Sequence, residues 1–140
     1  MKYALLLFTL TLGLISCSKQ QDFPKFHLEA IQVDDLIIPD TITYQSELDV
    51  TFKYTLPNSC YYYNDLYYVA NDSVRTTAII AYVDEEAICT QATKEEEVTI
   101  HFKVEQEEDY IFKLYKGVDE DNKSIYEEKI VRVIEEDEVQ

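Results

Sequence analysis

The sequence predicts an all-β fold, an antiparallel β-sandwich of about seven strands. Three observations predict it. Apolar and polar residues alternate with a period of two in several segments, clusters of turn-forming residues separate these segments, and no stretch has the longer apolar period of an amphipathic helix. A chain of 140 residues, 46% of them hydrophobic, has enough apolar material for the core of one domain.

The clearest alternation lies in residues 48–56, where leucine, valine, phenylalanine and tyrosine alternate with aspartate, threonine and lysine. Residues 98–104 repeat this pattern, so each segment is predicted to be a strand with one buried face and one solvated face. Five further β-rich segments complete the set: Phe26 to Val33, Cys60 to Ala70, Val74 to Val83, Tyr110 to Lys116 and Ile125 to Ile134. The turn clusters lie at residues 57–59, 71–73, 84–86, 105–109 and 117–124.

The charge of the chain is strongly unbalanced, with 28 acidic and 12 basic residues and a formal net charge of −16. Such a surface repels nucleic acid and anionic lipid headgroups, so binding to either through a basic patch is excluded. No glycine-rich phosphate loop and no metal triad is recognisable, and no cofactor is expected.

The first 16 residues are predicted to be a signal peptide. Lys2 supplies a short positive start, and the apolar run from Ala4 to Leu14 is about 11 residues long, too short for the ~20 residues of a membrane-spanning helix. The run does not end in the small residues of an ordinary Ala-x-Ala cleavage site, but in Leu14-Ile15-Ser16-Cys17.

This tetrapeptide resembles the lipobox of bacterial lipoproteins, which is an aliphatic residue, a small or aliphatic one, a small one and a cysteine. The resemblance implies that diacylglycerol is attached to the Cys17 thiol, that cleavage occurs before Cys17, and that the new amino terminus is acylated. Several acyl chains anchor a protein stably in a membrane, whereas one anchors it only marginally. The alternative is that Cys17 is an incidental residue in the signal peptide of a soluble secreted protein.

Residues 17–25 are therefore predicted to be a lipidated cysteine with a polar tether. The eight residues after Cys17 span at most roughly 29 Å when extended. Ser18 stands where an aspartate would be associated with retention in the inner membrane, so the predicted location is the outer membrane of a Gram-negative cell envelope.

Cys60 and Cys89 then remain as an even pair in an oxidising compartment, which predicts a disulfide. The loop they close has about 30 residues, for which chain entropy gives roughly 3 to 4 kcal/mol of stabilisation. A zinc site is one alternative, although His27 and His101 lack paired ligand spacing. A catalytic thiol is the other, although neither cysteine has a local catalytic signature.

Residues 26–134 are the predicted sandwich domain, and residues 135–140 are an acidic tail. A tyrosine opens the sixth predicted strand in Asp109-Tyr110-Ile111-Phe112, which resembles the immunoglobulin-like or fibronectin-like arrangement. In those folds a tyrosine at this turn hydrogen-bonds back across the corner. The chain has no tryptophan, and its cysteine pair would join the start of the third predicted strand to the loop after the fourth, so an antibody-type domain is excluded.

Three short segments are also similar to small lipoproteins of Gram-negative bacteria, in particular of the Bacteroidota, that carry no assigned activity. The segments are Leu56 to Cys60, Ala87 to Ala92 and Asp109 to Leu114. This resemblance supports the disulfide and the fold and implies no function.

A cluster of tyrosines in residues 60–68 is the candidate binding patch: Tyr61, Tyr62, Tyr63, Tyr67 and Tyr68. Both faces of this strand are aromatic, so half of the rings must leave the core, with Tyr62 and Tyr68 or their neighbours as the first candidates. Exposed tyrosines bind well because they combine a large area, few rotors and a polar tip, and the partner would be a protein or a glycan. The alternative is that these rings simply suit a half-buried pleated surface.

The acidic segments are weaker candidates. The loop Asp119 to Ser124 resembles a calcium loop in its oxygen ligands, but Ser124 and Ile130 stand where an EF-hand needs glycine and glutamate, so a solvated hairpin is favoured and no metal ligand is predicted. With 28 acids some carboxylates must be close, so the alternative functions are a small envelope hydrolase with paired carboxylates and a calcium-binding β-sandwich. No serine elbow accompanies them. The sequence therefore predicts a noncatalytic, lipid-anchored module that binds or scaffolds.

Overall fold

The structure is a computed structural model that describes residues 24–136. The predicted signal peptide, Cys17 and most of the tether lie outside the described residues, as does the end of the acidic tail. The strands are β1 (Phe26–Ile31), β2 (Asp35–Ile37), β3 (Thr41–Thr43), β4 (Glu47–Leu56), β5 (Tyr61–Asn71), β6 (Val74–Asp84), β7 (Lys94–Lys103), β8 (Tyr110–Val118) and β9 (Ser124–Ile134). Residues 24–136 contain no helix long and apolar enough to cross a bilayer.

The strands form two sheets that pack face to face, so the predicted all-β sandwich is confirmed. The larger sheet has six strands, β1, β3, β5, β6, β8 and β9, and the smaller sheet has the order β2-β4-β7. The count is nine strands where the sequence predicts about seven, because β2 and β3 are three-residue strands. Strands this short leave no periodic signal.

Strand β6 is the centre of the larger sheet. Its residues 79–84 pair with β1 and its residues 74–77 pair with β8, while β5 runs along almost the whole of β6. A strand has only two edges, so β1 and β8 lie end to end on the edge of β6 that faces away from β5. The β6–β8 and β3–β9 pairs are parallel, which departs from the two antiparallel sheets of an immunoglobulin-like domain.

The core lies between the two sheets and follows the predicted alternation of β4. Val50, Phe52, Tyr54 and Leu56 are buried, and the residues between them are not. The larger sheet contributes mainly Ile79, Ala81, Phe112, Leu114 and Val131 to the same cluster.

The predicted corner tyrosine is present at the start of β8. Tyr110 is fully buried, and its hydroxyl accepts a hydrogen bond from the backbone N–H of Glu105 at 3.0 Å. The Arg75 guanidinium lies 4.7 Å from the centre of the Tyr110 ring, and the Phe102 ring meets it edge-on at 5.0 Å. Tyr110 therefore fixes the turn before β8 to the core.

The disulfide predicted between Cys60 and Cys89 is confirmed, with an S–S distance of 2.02 Å and a Cα–Cα distance of 5.3 Å. Cys60 directly precedes β5, and Cys89 lies in the irregular segment between β6 and β7. A hydrogen bond beside it, from the Thr90 N–H to the Ser59 Oγ at 2.8 Å, holds the same two segments together. The disulfide therefore fixes the loop 85–93 against the start of β5.

Candidate functional site: the tyrosine cleft and the apolar face

A bulge at Asn64 interrupts the tyrosine-rich strand β5. Tyr63 lies opposite Ala81 of β6, but Asp65 lies opposite Ile80, so Asn64 is one extra residue in β5. An extra residue reverses the alternation of side chains beyond it.

The bulge divides the five predicted patch residues between the two sides of the sheet. Tyr61, Tyr63 and Tyr68 are on the inner side, where Tyr61 and Tyr68 pack against the core. Tyr62 and Tyr67 are on the outer side, and about half of each side chain is exposed. The structure therefore does not bring the five tyrosines to one surface, and Tyr62 and Tyr68 do not share a face.

The inner tyrosines at the start of β5 have fixed positions. The Tyr61 hydroxyl donates to Oε2 of Glu29 at 2.7 Å, and this bond raises the pKa of Tyr61 above its ordinary value. The Tyr63 ring stacks on the buried Tyr54 ring, with 5.7 Å between the ring centres. Burial first, and then the nearby Asp65 carboxylate, raise the pKa of Tyr63. Both groups are neutral at physiological pH and present hydroxyls rather than charges.

A cavity of about 520 Å³ opens beside these tyrosines, and we call it the tyrosine cleft. Its lining comes from the end of β4, the start of β5, the disulfide-bonded loop and the start of β7: Leu56, Asn58, Ser59, Tyr61, Tyr62, Tyr63, Thr90, Ala92, Thr93, Lys94 and Glu96. Its volume is in the range of small-molecule sites, and the combination of aromatic rings with a few polar groups is typical of such sites.

The charges in the tyrosine cleft compensate each other. Lys94 forms a salt bridge with Glu96, and the Tyr54 hydroxyl donates to the other oxygen of the Glu96 carboxylate at 3.0 Å. Lys94 first, and the Tyr54 hydrogen bond in addition, lower the pKa of Glu96 against the effect of burial. The cleft is therefore neutral in total, although the chain is strongly acidic.

The strands on the two sides of the tyrosine cleft each have a free edge among the described strands. β5 pairs only with β6, and β7 pairs only with β4. Half of the residues in β7 are lysine or glutamate, whereas β5 carries Asp65 as its single charged residue. Edge strands are commonly protected by charged side chains and by bulges. β5 has the bulge but little charge, so its free edge can accept an added strand more readily than that of β7.

The outer side of the larger sheet is a broad surface of apolar and aromatic side chains, which we call the apolar face. Since side chains alternate along a strand, the registers assign to it Phe26, Leu28 and Ala30 of β1, Tyr62, Tyr67 and Val69 of β5, Ile80 and Tyr82 of β6, Ile111 and Tyr115 of β8, and Tyr126 and Ile130 of β9. Seven of these side chains are between 40% and 62% exposed. Exposed apolar surface of this extent on one face is typical of an interaction site.

Aromatic rings cross the apolar face from strand to strand. Phe26 of β1 stacks on Tyr82 of β6 with 4.6 Å between the ring centres, and Tyr62 of β5 meets Tyr82 edge-on at 6.1 Å. On the other half of the face, Tyr115 of β8 meets Tyr126 of β9 at 6.0 Å. These contacts order the rings in the free molecule and reduce the entropy that a partner must remove.

The outer side of the smaller sheet is polar. The hydroxyls of Thr51 and Thr99 are 2.7 Å apart across β4 and β7. His101 lies between Glu47 and Asp49, with each ring nitrogen 3.2 Å from a carboxylate oxygen, and these two bonds raise its pKa. The two outer surfaces of the sandwich therefore differ in character, one apolar and one polar.

A second cavity of about 400 Å³ lies at β2, β4 and β7, and we call it the acidic cleft. It is lined by Asp34, Asp35, Lys53, Tyr54, Thr55, Glu95, Glu96 and Glu97. The Thr55 hydroxyl donates to Asp34 at 2.7 Å. Within residues 24–136, no three histidine, cysteine, aspartate or glutamate side chains are arranged to hold a metal ion.

The loop considered as a calcium site is a hairpin turn that uses its own carboxylate. Oδ1 of Asp119 accepts hydrogen bonds from the backbone N–H groups of Asp121 and Lys123, at 2.9 and 2.8 Å. Asn122 has a φ of 59°, which asparagine tolerates in turns. This segment forms the turn between β8 and β9, and its side chains are exposed.

Sequence reasoning identified the tyrosines of β5 but not their partners in either surface. Asn58 and Thr90 lie in the tyrosine cleft because each is within two residues of a cysteine of the disulfide. The predicted disulfide is the one sequence feature that indicates their proximity to the tyrosines. Phe26 and Leu28 alternate with polar residues in β1, which identifies one apolar side of the strand but not whether that side faces the core or the solvent.

Comparison of the chain with models of protein families, with curated protein sequences and with solved structures gave no significant match.

Proposed function

We propose that the protein is a noncatalytic binding module, anchored through lipidated Cys17 in the bacterial outer membrane, that holds an extended polypeptide segment in the tyrosine cleft. The observation that carries the proposal is the position of the cleft. It lies between the free edges of β5 and β7, and the Cys60–Cys89 disulfide fixes one of its walls.

The lining of the cleft supports a polypeptide as the ligand. An extended peptide that adds to a sheet edge gains affinity from main-chain hydrogen bonds and specificity from pockets for alternate side chains. The uncharged part of β5 offers the main-chain groups, and the rings of Tyr61 and Tyr63 border a pocket for an apolar side chain. A glycan would use the rings but not the strand edge, so the free edge favours the peptide.

The ligand class is tested with a displayed library of random peptides selected on the purified protein, and with a glycan array probed in parallel. We expect peptide binders whose affinity falls about tenfold or more in Tyr63→Ser, because Tyr63 lines the cleft and tyrosine is enriched among the few residues that contribute about 2 kcal/mol or more to binding. Tyr67→Ser is the matched control, since Tyr67 is in the same strand but outside the cleft. If the selection gives no peptide binders and the array shows glycan binding that Tyr63→Ser abolishes, the ligand is a glycan and the proposed peptide ligand is wrong.

The anchor is tested separately by Cys17→Ser. We expect this variant to leave the membrane fraction and to lose labelling by a fatty-acid probe, because the thiol that accepts the diacylglycerol is absent. Ser18→Ala, one residue away, is the control and should fractionate like the unchanged chain. If Cys17→Ser associates with the membrane as strongly as the unchanged chain, the lipid anchor is contradicted. That result would not bear on the peptide ligand, which the peptide selection tests separately.

The alternative function, a hydrolase with paired carboxylates, would use the acidic cleft. The geometry gives this alternative less support, because a general acid at neutral pH needs a raised pKa and the pKa of Glu96 is lowered. The same salt bridge and tyrosine hydrogen bond that lower it also fix the carboxylate in place. Hydrolysis of a glycoside or peptide by the unchanged chain, lost in Glu96→Gln, would favour the hydrolase.

A further inference from the structure

We propose that the apolar face is the interface of a homodimer, in which the larger sheets of two copies pack against each other around a two-fold axis. The proposal concerns the outer side of the larger sheet and does not depend on the ligand of the tyrosine cleft or on the lipid anchor.

The charge distribution favours a second copy as the occupant. The outward positions of the larger sheet carry three acidic residues, Asp65, Asp84 and Glu128, and two basic ones, Lys113 and Arg132, so the net charge of this face is −1. The chain as a whole has a net charge of −16, so two copies repel each other in most relative orientations. Face-to-face approach of the apolar faces is an orientation in which the contacting surfaces are close to neutral.

The charged groups on this face are also largely engaged within the molecule. Lys113 of β8 is paired with Glu128 of β9 at 2.9 Å. The Asp84 carboxylate accepts the backbone N–H groups of Glu86 and Ala87, at 2.9 and 3.1 Å. Burial against a second copy would therefore leave few charges without a partner, which is the main cost of covering a polar surface.

The size of the face matches a modest dimer interface. With ~4.8 Å between strands and ~6.7 Å between alternate residues, the twelve residues of the apolar face and the five charged residues on the same side cover roughly 550 Å² on each copy, or about 1,100 Å² in a pair. Specific interfaces bury at least about 1,000 Å² in total. Two twisted sheets can pack face to face at ~10 Å, as the two sheets of a sandwich do. An isologous contact of this kind closes on itself and does not form fibres.

The polar side of the smaller sheet supplies a matched control. Leu28 of β1 and Ile37 of β2 are both about half exposed, Leu28 on the apolar face and Ile37 on the outer side of the other sheet. A change to aspartate therefore adds the same charge at comparable exposure on the two sides of the molecule.

The experiment measures the mass of the full chain in solution by light scattering after gel filtration, from about 5 to 200 μM, with all variants in a Cys17→Ser background. We expect the Cys17→Ser protein, whose apolar face is unchanged, to reach twice the mass of one chain. Leu28→Asp and Tyr67→Asp should each have the mass of one chain. Ile37→Asp should retain the dimer. Circular dichroism and thermal melting of each variant distinguish loss of association from loss of folding.

The proposal is overturned if the Cys17→Ser protein remains monomeric at about 200 μM. It is also overturned if Leu28→Asp and Tyr67→Asp have the same mass as Ile37→Asp. The same samples are sedimented with phosphatidylcholine vesicles. Monomers that sediment with vesicles in a way that requires Leu28 would show that the face binds lipid, which also overturns the dimer.

Discussion

At the scale of single residues, Tyr110 connects the turn before β8 to the core. Its ring is buried between the sheets, and its hydroxyl is the acceptor for the backbone N–H of Glu105. A backbone donor that loses its partner in a partly buried turn costs free energy, since water does not fully replace the bond.

We therefore expect Tyr110→Phe to lower the free energy of unfolding by roughly 1 to 2 kcal/mol, measured by urea denaturation. Tyr67→Phe removes a hydroxyl from an exposed ring and should change the stability by less than about 0.5 kcal/mol. Equal effects of the two substitutions would show that the Tyr110 hydrogen bond contributes nothing specific.

The two histidines each lie beside two carboxylates. His27 contacts Glu85 at 2.8 Å and Glu29 at 3.6 Å, and the bond to Glu85 is the largest cause of its raised pKa. Protonated His27 therefore stabilises the fold. This contribution is complete below the unfolded value of 6.5 and is lost as the pH rises through the higher pKa of the folded state.

We expect an NMR titration of the imidazole protons to give a pKa above 6.5 for His27, and Glu85→Gln to lower it. His101 has its own carboxylates, Glu47 and Asp49, so its titration is an internal control that should not change. Titration of His27 at or below 6.5 in the unchanged chain would contradict the role of Glu85.

At the scale of structural elements, the disulfide determines one wall of the tyrosine cleft. It joins Cys60, just before β5, to Cys89 in the loop 85–93, and two hydrogen bonds between Ser59 and Thr90 accompany it. The loop contains no regular structure, so its position depends on these few connections.

Replacing both cysteines by alanine should lower the free energy of unfolding by roughly 3 kcal/mol, because the unfolded chain loses its constraint. We also expect limited proteolysis to cut within the loop 85–93 in this variant before it cuts elsewhere. Thiol alkylation without reductant, followed by mass spectrometry, is the companion measurement. Two labelled cysteines in the unchanged domain would show that the bond is absent in solution.

The elements differ in how well the sequence predicts them. Alternation in β4 and β7 identifies both the strand and its buried side, because the residues between the apolar ones are polar and favour solvent. In β1 the same alternation puts Phe26 and Leu28 on one side, yet this side is exposed. The register with β6 decides the direction, and a period of two carries no information about register.

The candidate site could be predicted only in part, for a related reason. The density of tyrosines in β5 identifies a strand with aromatic rings on both sides, but a one-residue bulge at Asn64 determines which ring faces which side. Bulges have no reliable sequence signal without glycine, and β5 contains none. The cleft and the apolar face also need residues distant in the chain, such as Thr90 and Tyr82, which come into place only through tertiary contacts.

At the scale of the whole molecule, the charge opposes compactness. With 28 acidic and 12 basic residues, the folded chain concentrates negative charge in a small volume, and screening by salt reduces the repulsion.

We expect the melting temperature to rise between 10 and 300 mM sodium chloride, by an amount that corresponds to about 1 kcal/mol of stability. Sodium and potassium chloride should act equally, because the effect is one of screening and not of binding at a site. A melting temperature that stays constant or falls with salt would indicate that local ion pairs such as Lys113–Glu128 outweigh the net repulsion.

The end-to-end arrangement of β1 and β8 on one edge of β6 has a mechanical consequence. A chain tethered upstream of Phe26 transmits any pull first to β1, and β1 is joined to β6 by six successive pairs from Phe26 opposite Asp84 to Ile31 opposite Ile79. A pull directed along the strand loads these pairs together, as shear, and does not open them one at a time. Resistance to such a force depends on the rate of unfolding rather than on equilibrium stability. Under the proposed anchoring through Cys17, β1 would act as a clamp between the membrane and the rest of the sandwich.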